Sequence, residues 1–195
     1  PLELGDPDAV KAARAANIPQ LLALIDDGWD NVAPGPSCVL MFKQELPLMV
    51  PEDADVARVR DAIYDPFEYL MLRHKDGKLN TDFSESLGTI AYHVACHLRV
   101  QNIGMKTRDV LQLVPDTTVQ PIERCSGHDG TYAVKREFHE TSMKICRPVV
   151  NQVIRAGAKY YSSDCPMAGH QIENGLDNDI APVHPLTLLR RAYGI

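Results

Sequence analysis

Apolar and polar positions along the chain follow two periods, and the switches between them predict the elements. From Asp8 to Asp27, Val10, Ala13, Ile18, Leu21, Leu22 and Ile25 share one helical face, with Lys11, Arg14 and Gln20 off it. Pro19 inside this run predicts a kink or a split, because proline removes a backbone donor and crowds the preceding turn. Gly28 stops the helix, Trp29 to Pro34 predicts a short strand, and Pro34-Gly-Pro-Ser37 predicts a turn. Cys38 follows, and Val39 to Leu46 predicts a helix closed by Pro47 and Pro51. Glu52 to His74 carries a second helical pattern, with Val56, Val59, Ile63, Phe67 and Leu70 apolar and a break at Pro66.

Beyond a turn at Lys75 to Lys78 and a polar connection, the pattern alternates. Strands are predicted at Gly88 to Ala95, Thr117 to Ile122 and Lys159 to Ser163. Helices are predicted at Lys106 to Leu113, Thr131 to Ala156, from Cys165 to Ile172 and from His184 to Tyr193. Such alternation specifies an α/β fold, a mainly parallel sheet flanked by helices. Gly28 to Cys38 and Gly157 to Cys165 also follow one plan of glycine stop, strand, small polar turn, cysteine and helix, which predicts a pseudo-repeat of a strand-Cys-helix unit.

Composition narrows the class. With 195 residues, 45% of them hydrophobic and 24% charged, the chain can bury a full core as one domain or as two small ones. A formal net charge of -6, with no basic stripe, argues against nucleic acid as a partner. The longest apolar runs, Leu21 to Ile25 and Cys38 to Phe42, fall far short of the roughly 20 residues that span a bilayer. There is no initiator Met and no secretory leader pattern, so the expectation is a processed chain or a piece of a longer one. Five cysteines, an odd number spread thinly, fit reduced thiols in the cytoplasm better than a disulfide framework.

The candidate chemistry centres on Glu123-Arg-Cys-Ser-Gly-His-Asp-Gly-Thr-Tyr132. Gly127 and Gly130 let the backbone approach a bound group closely, and Cys125 can supply a thiolate to it. Cys38, Cys96 and Cys165 each stand where a strand-like run gives way to a helix-like one. In a parallel α/β sheet these junctions share one edge, where such folds place their ligands, and a helix N-terminus favours the thiolate. Four thiolates suit an iron–sulfur cluster or a structural zinc. Cys146, inside a helical run, reads as a small buried hydrophobe.

His93, His97, His128 and His170 lie within a few residues of these cysteines. His93 and His97 read as groups that bond to sulfur or cap a loop; His128 and His170 stay open between that role and direct ligation. A nucleophilic reading, with Cys125 as thiolate, His128 as base and Asp129 orienting it, leaves the other three junction cysteines unexplained.

These residues resemble the cysteine-rich family, named for its Cys-Cys-Gly motif and typified by the B-subunit of heterodisulfide reductase, the C-subunit of anaerobic glycerol-3-phosphate dehydrogenase and the iron–sulfur subunit of glycolate oxidase. The family pattern is a cysteine, about thirty residues, Cys-Cys-Gly, nearly forty more, and Cys-x-x-Cys. Here it reads Tyr92-His-Val-Ala-Cys-His-Leu-Arg99, Cys125-Ser-Gly127 and Ser163-Asp-Cys-Pro-Met-Ala168. Pro36-Ser-Cys-Val-Leu-Met41, Gly130-Thr-Tyr-Ala-Val-Lys135 and His184-Pro-Leu-Thr-Leu-Leu189 resemble the glycerol-3-phosphate type. The resemblance implies that residues 1–85 close a first cysteine-rich repeat and that residues 86–195 form a second.

Ser126 replaces the second cysteine of Cys-Cys-Gly and Ala168 the last of Cys-x-x-Cys, which removes a five-cysteine non-cubane cluster. The resemblance then implies a [4Fe-4S] cluster on Cys38, Cys96, Cys125 and Cys165, with His128 assisting and Gly127 and Gly130 shaping the loop. Zinc is the alternative, since some members hold zinc. The implied role is electron transfer between other subunits or domains of an oxidoreductase, a flavin-containing one among them, in the cytoplasm or at the cytoplasmic membrane face through a partner. The alternative role is a zinc-stabilised or metal-free module docking to a partner subunit.

Overall fold

In the computed structural model the described residues are 2, 5–128, 133, 135–176 and 180–195. They form two compact units, residues 1–66 and 67–195.

Unit 1 opens with helix α1 (Pro7–Asp26), capped by the Asp6 carboxylate, which accepts from the Ala9 N–H at 2.9 Å. The helix runs through Pro19 without splitting. Ile18 and Leu22 on either side of Pro19 are buried with Val10, Leu46, Val56 and Val59, and that shared core outweighs the lost donor. The strand expected at 29–34 shrinks to β1 (Asn31–Val32). Helix α2 (Pro36–Leu40) starts earlier than the hydrophobic pattern suggested, with Pro36 in its first turn. It continues through a π-helical stretch, Met41–Glu45, into α3 (Leu46–Met49). The run from Glu52 breaks ahead of Pro66: α4 (Ala54–Asp61), capped by Asp53, is followed by β2 (Ile63–Tyr64), which pairs in parallel with β1, and α5 (Pro66–Lys75), whose Phe67 lies in the core of unit 2, carries the chain into that unit.

Unit 2 is a three-layer α/β body. Strands β3 (Gly88–His93), β4 (Thr117–Ile122) and β5 (Tyr160–Ser163) form a parallel sheet in the order β4-β3-β5. Helices α6 (Cys96–Val100) and α7 (Lys106–Leu111) join β3 to β4, and α8 (His139–Ala156), preceded by a 3₁₀ turn at Arg136–Phe138, joins β4 to β5. Helices α9 (Pro166–Glu173) and α10 (Pro185–Ala192) follow. Every described strand pairing in the chain is parallel, as the sequence pattern implied.

Alternation along β3 sends its side chains to two cores. Ile90, Tyr92 and Val94 pack with Val110 and Leu111 of α7 and Leu188 of α10. Ala91 faces the other way, onto Val149 and Val153 of α8, Tyr161 of β5 and Ile172 of α9. The chain thus leaves β3 over one face of the sheet and leaves β5, its neighbour, over the other. This is a topological switch point, and it opens a crevice at the carboxyl ends of β3 and β5.

Ile90 is fully buried at the centre of this sheet, whereas Ile154 on α8 is 56% exposed. Ile90→Ala is expected to cost about 2–5 kcal/mol in urea denaturation, and Ile154→Ala less than about 1 kcal/mol. Equal losses would contradict the assignment of the core.

Candidate metal centre

The three junction cysteines of unit 2 come to the crevice. Cys96 is the first residue of α6, Cys125 follows β4 by three residues, and Cys165 is the N-cap of α9. Register sets their level, because His93 of β3 lies beside Ile122 of β4 on one side and Ser163 of β5 on the other. Cys125 and Cys165 both lie near enough to Cys96 to act on it electrostatically. Cys38 belongs to unit 1, in the first turn of α2, where its N–H donates to the Gly35 carbonyl at 2.9 Å.

The Cys125 loop is tightly held. The Gly127 N–H donates to Cys125 Sγ at 3.4 Å, and the Gly127 carbonyl accepts from Ser142 Oγ of α8 at 2.8 Å. Gly127 has φ +73°, and a Cβ there would lie 2.2 Å from the Ser142 carbonyl oxygen. The glycine is therefore required both by conformation and by the approach of the loop to the α8 backbone. Ser142 Oγ accepts in turn from Gln171 Nε2 of α9 at 2.6 Å. Ser126, in place of a second cysteine, is buried, and its Oγ accepts from the His128 N–H at 3.4 Å. Gly130 and Asp129 lie outside the described residues.

The histidines divide by what they touch. His93, fully buried, bonds through Nε2 to the Arg124 carbonyl at 3.0 Å and through Nδ1 to Ser163 Oγ at 3.1 Å. Burial first, and the nearby Arg99 charge, hold its pKa below the usual histidine value against the opposing Arg124 carbonyl. His97 and His128 are half-buried. His170 is exposed and paired through Nδ1 with Glu173 at 2.8 Å, one turn along its own helix.

Cys146 is buried against Val149 and Ile172, its Sγ 3.7 Å from the Gln171 carbonyl, and burial pushes its pKa up to about 11. A second polar cluster had no signal in the sequence beyond the Ser-Ser-Asp run before Cys165. Tyr92 Oη and Thr107 Oγ1, the latter at 2.7 Å, donate to the buried Asp164 carboxylate. His184, the N-cap of α10, accepts from the Leu186 N–H at 3.2 Å and also bonds to the Asp164 backbone. These contacts fix the turn that presents Cys165.

Among the described residues no group of three or more His, Cys, Asp or Glu is already set around one point as a metal ion would need. The donor chemistry nevertheless fits a thiophilic metal. Burial, then the neighbouring Cys125 and Cys165, raise the Cys96 pKa, the repulsion expected of clustered thiols, and a cation among them reverses its sign. Beside Cys96 opens a cleft of about 540 Å³ walled by Val94, Leu98 and Met105 and by the Arg99–Glu123 ion pair, 3.3 Å apart.

Fold and site together define a parallel α/β unit with cysteines collected at its strand ends. The chain is homologous to the C-subunit of the anaerobic glycerol-3-phosphate dehydrogenase of Escherichia coli strain K12, with 26% identity over 166 residues, 85% of this chain and 41% of the relative. The O157:H7 protein of the same name matches equally. The chain thus spans less than half the length of these relatives, and the homology accords with the resemblance to the cysteine-rich family. No protein-family model matches the chain. No helix among the described residues is long and apolar enough to cross a membrane.

Two outcomes test this geometry. Gly127→Ala is expected to destabilise the fold by more than about 2 kcal/mol, since overlap with the Ser142 carbonyl adds to left-handed strain. Gly157→Ala, at φ +53° in open space, should cost only about 1–2 kcal/mol. Similar urea midpoints for the two variants would refute the close approach.

Burial holds the His184 pKa below its unfolded value, with the Asp164 backbone bond opposing. The unfolded chain therefore takes up a proton first. The stability this histidine contributes is complete above about pH 6.5 and is lost as pH falls through the lower folded value. His184→Asn keeps a capping acceptor and should flatten the decline in urea midpoint between about pH 7 and about pH 5; an unaltered slope would assign the decline to other groups.

Proposed function

We propose that this chain is an iron–sulfur-binding electron-transfer module of a flavin- or quinone-linked oxidoreductase. The observation that carries the reading is the convergence of Cys96, Cys125 and Cys165 on one edge of the parallel sheet. The homology to one subunit of a dehydrogenase supports the same class.

In this reading the three thiolates hold a [4Fe-4S] cluster, which when bound supplies one-electron transfer. Cys38 and His128 are the candidates for the remaining ligand position, to be separated by substitution. The chain's own groups tune and shelter the site: the Gly127 N–H draws charge from Cys125 Sγ, and Gly127 lets backbone lie close to the bound group, the part also proposed for Gly130 on its sequence position. Residues 1–85 and 86–195 are proposed as the closing part of one cysteine-rich repeat and the whole of a second. The partners are other subunits or domains of the oxidoreductase, a flavin-containing one included, located in the cytoplasm or on the cytoplasmic membrane face through a partner.

One observation favours a second reading, a zinc-stabilised docking module. Cys96, Cys125 and Cys165 all stand just past strand ends on one sheet edge, and three thiolates with one further ligand complete the tetrahedral set of a structural zinc.

Protein purified without oxygen is expected to carry iron and acid-labile sulfide at roughly four each per chain, with a redox-dependent paramagnetic signal. Cys125→Ala should abolish the visible absorbance, and Cys146→Ala should leave it unchanged. Stoichiometric zinc without sulfide would replace the electron-transfer reading with the docking one. Unchanged absorbance in Cys125→Ala would remove that residue from the ligand set.

A further inference from the structure

We propose that His93 is the positioning residue of the cysteine site, a neutral imidazole that clamps the loops carrying Cys125 and Cys165 to the end of the strand that delivers Cys96. The inference rests on the metal-site reading above and goes beyond it by assigning what sets the spacing of the thiols.

The Arg124 carbonyl can only accept, so the bond at 3.0 Å places the imidazole proton on Nε2. Nδ1 of the neutral ring is then an acceptor, and the Ser163 hydroxyl, 3.1 Å away, donates to it. Ser163 Oγ is left free to accept, and it does so from the Cys165 N–H at 3.3 Å. The result is one directional chain: the Cys165 amide to Ser163, Ser163 to His93, His93 to the Arg124 carbonyl. Its two ends are the amide of one cysteine and the carbonyl preceding another.

Position makes this chain more than a satisfied core histidine. His93 is fully buried, so an unpaired imidazole would be costly and both bonds are held. It is the last residue of β3, aligned with Ser163 of β5 and Ile122 of β4. Arg124 lies beyond the end of β4, so its bond to His93 turns that loop back over the end of β3, toward Cys96. That turn carries Cys125 to the sheet edge where Cys96 stands, near enough for the two to interact electrostatically. Ser142 of α8 holds the far side of the same loop through the Gly127 carbonyl.

Phenylarsine oxide, which needs two neighbouring thiols, tests the spacing in the metal-free 195-residue chain, alongside iron and zinc content of anaerobically purified protein. His93→Phe removes both bonds at similar volume. His93→Gln can donate to the Arg124 carbonyl and accept from Ser163. Ser163→Ala cuts the chain at a small side chain and keeps the test alive should His93→Phe fail to fold. Expected is a loss of arsenical affinity, and of retained metal, of about 10- to 100-fold in His93→Phe and Ser163→Ala, with most of it recovered in His93→Gln. Cys146 should stay protected from alkylation in all three, because a general loosening would expose that buried thiol too. Wild-type arsenical affinity in a folded His93→Phe, or in Ser163→Ala if the former does not fold, would overturn the proposal; so would parallel exposure of Cys146. Wild-type protein with neither iron–sulfide nor zinc would defeat the metal reading alone, since the arsenical measurement stands without it.

Discussion

Pairing on both sides of β3 is the constraint on which the rest of unit 2 depends. From Ile90 to His93 this strand is aligned with β4 on one side and β5 on the other, all three parallel. Parallel strands finish at the same end of a sheet, and the register makes these finish at the same level. Each chain segment then enters a cysteine within two or three residues. Thiols far apart in sequence are thereby delivered to one edge by backbone hydrogen bonds alone, and side chains are needed only for the final few ångströms.

Those last ångströms are electrostatically unfavourable without a positive charge. Cys125 and Cys165 both disfavour the Cys96 thiolate, and Arg99, which opposes them, is itself engaged with Glu123. The fold holds the thiols together by rigid means: a glycine seated on the α8 backbone, a buried carboxylate braced by Tyr92 and Thr107, and the imidazole of His93. Cys146 shows the contrast. It lies among aliphatic side chains, with a single weak bond to a carbonyl, and its thiol is held neutral by burial.

The sheet of unit 2 is legible in the sequence because each strand is a short β-prone run between clear breaks; Thr117 to Ile122 matches its observed bounds. The arrival of Cys96, Cys125 and Cys165 at one sheet edge is legible too, as a consequence of parallel topology once the strands are placed. Unit 1 is less so. Pro19 argues for a split that packing of Ile18 and Leu22 overrides, and the π-helical stretch at Met41–Glu45 has no periodic signature to find. What the sequence does not disclose is the bracing. The partners of His93 are 31 and 70 positions away, and those of Asp164 are 57 and 72 away, so only the folded chain brings them together.

The order in which the three loops are joined carries a kinetic consequence. Cys165 reaches the edge only after α8 has crossed the sheet and β5 has docked against β3, the pairing with the longest sequence separation in this unit. Contacts of that kind form late, because a large loop must close before they are rewarded. A compact zinc finger, whose ligands are neighbours in sequence, folds around its ion. Here the complete trio of thiols exists only in a nearly finished domain, so a metal bound by all three would load after folding, and the exposed Cys96 and Cys125 are the surface at which loading would begin.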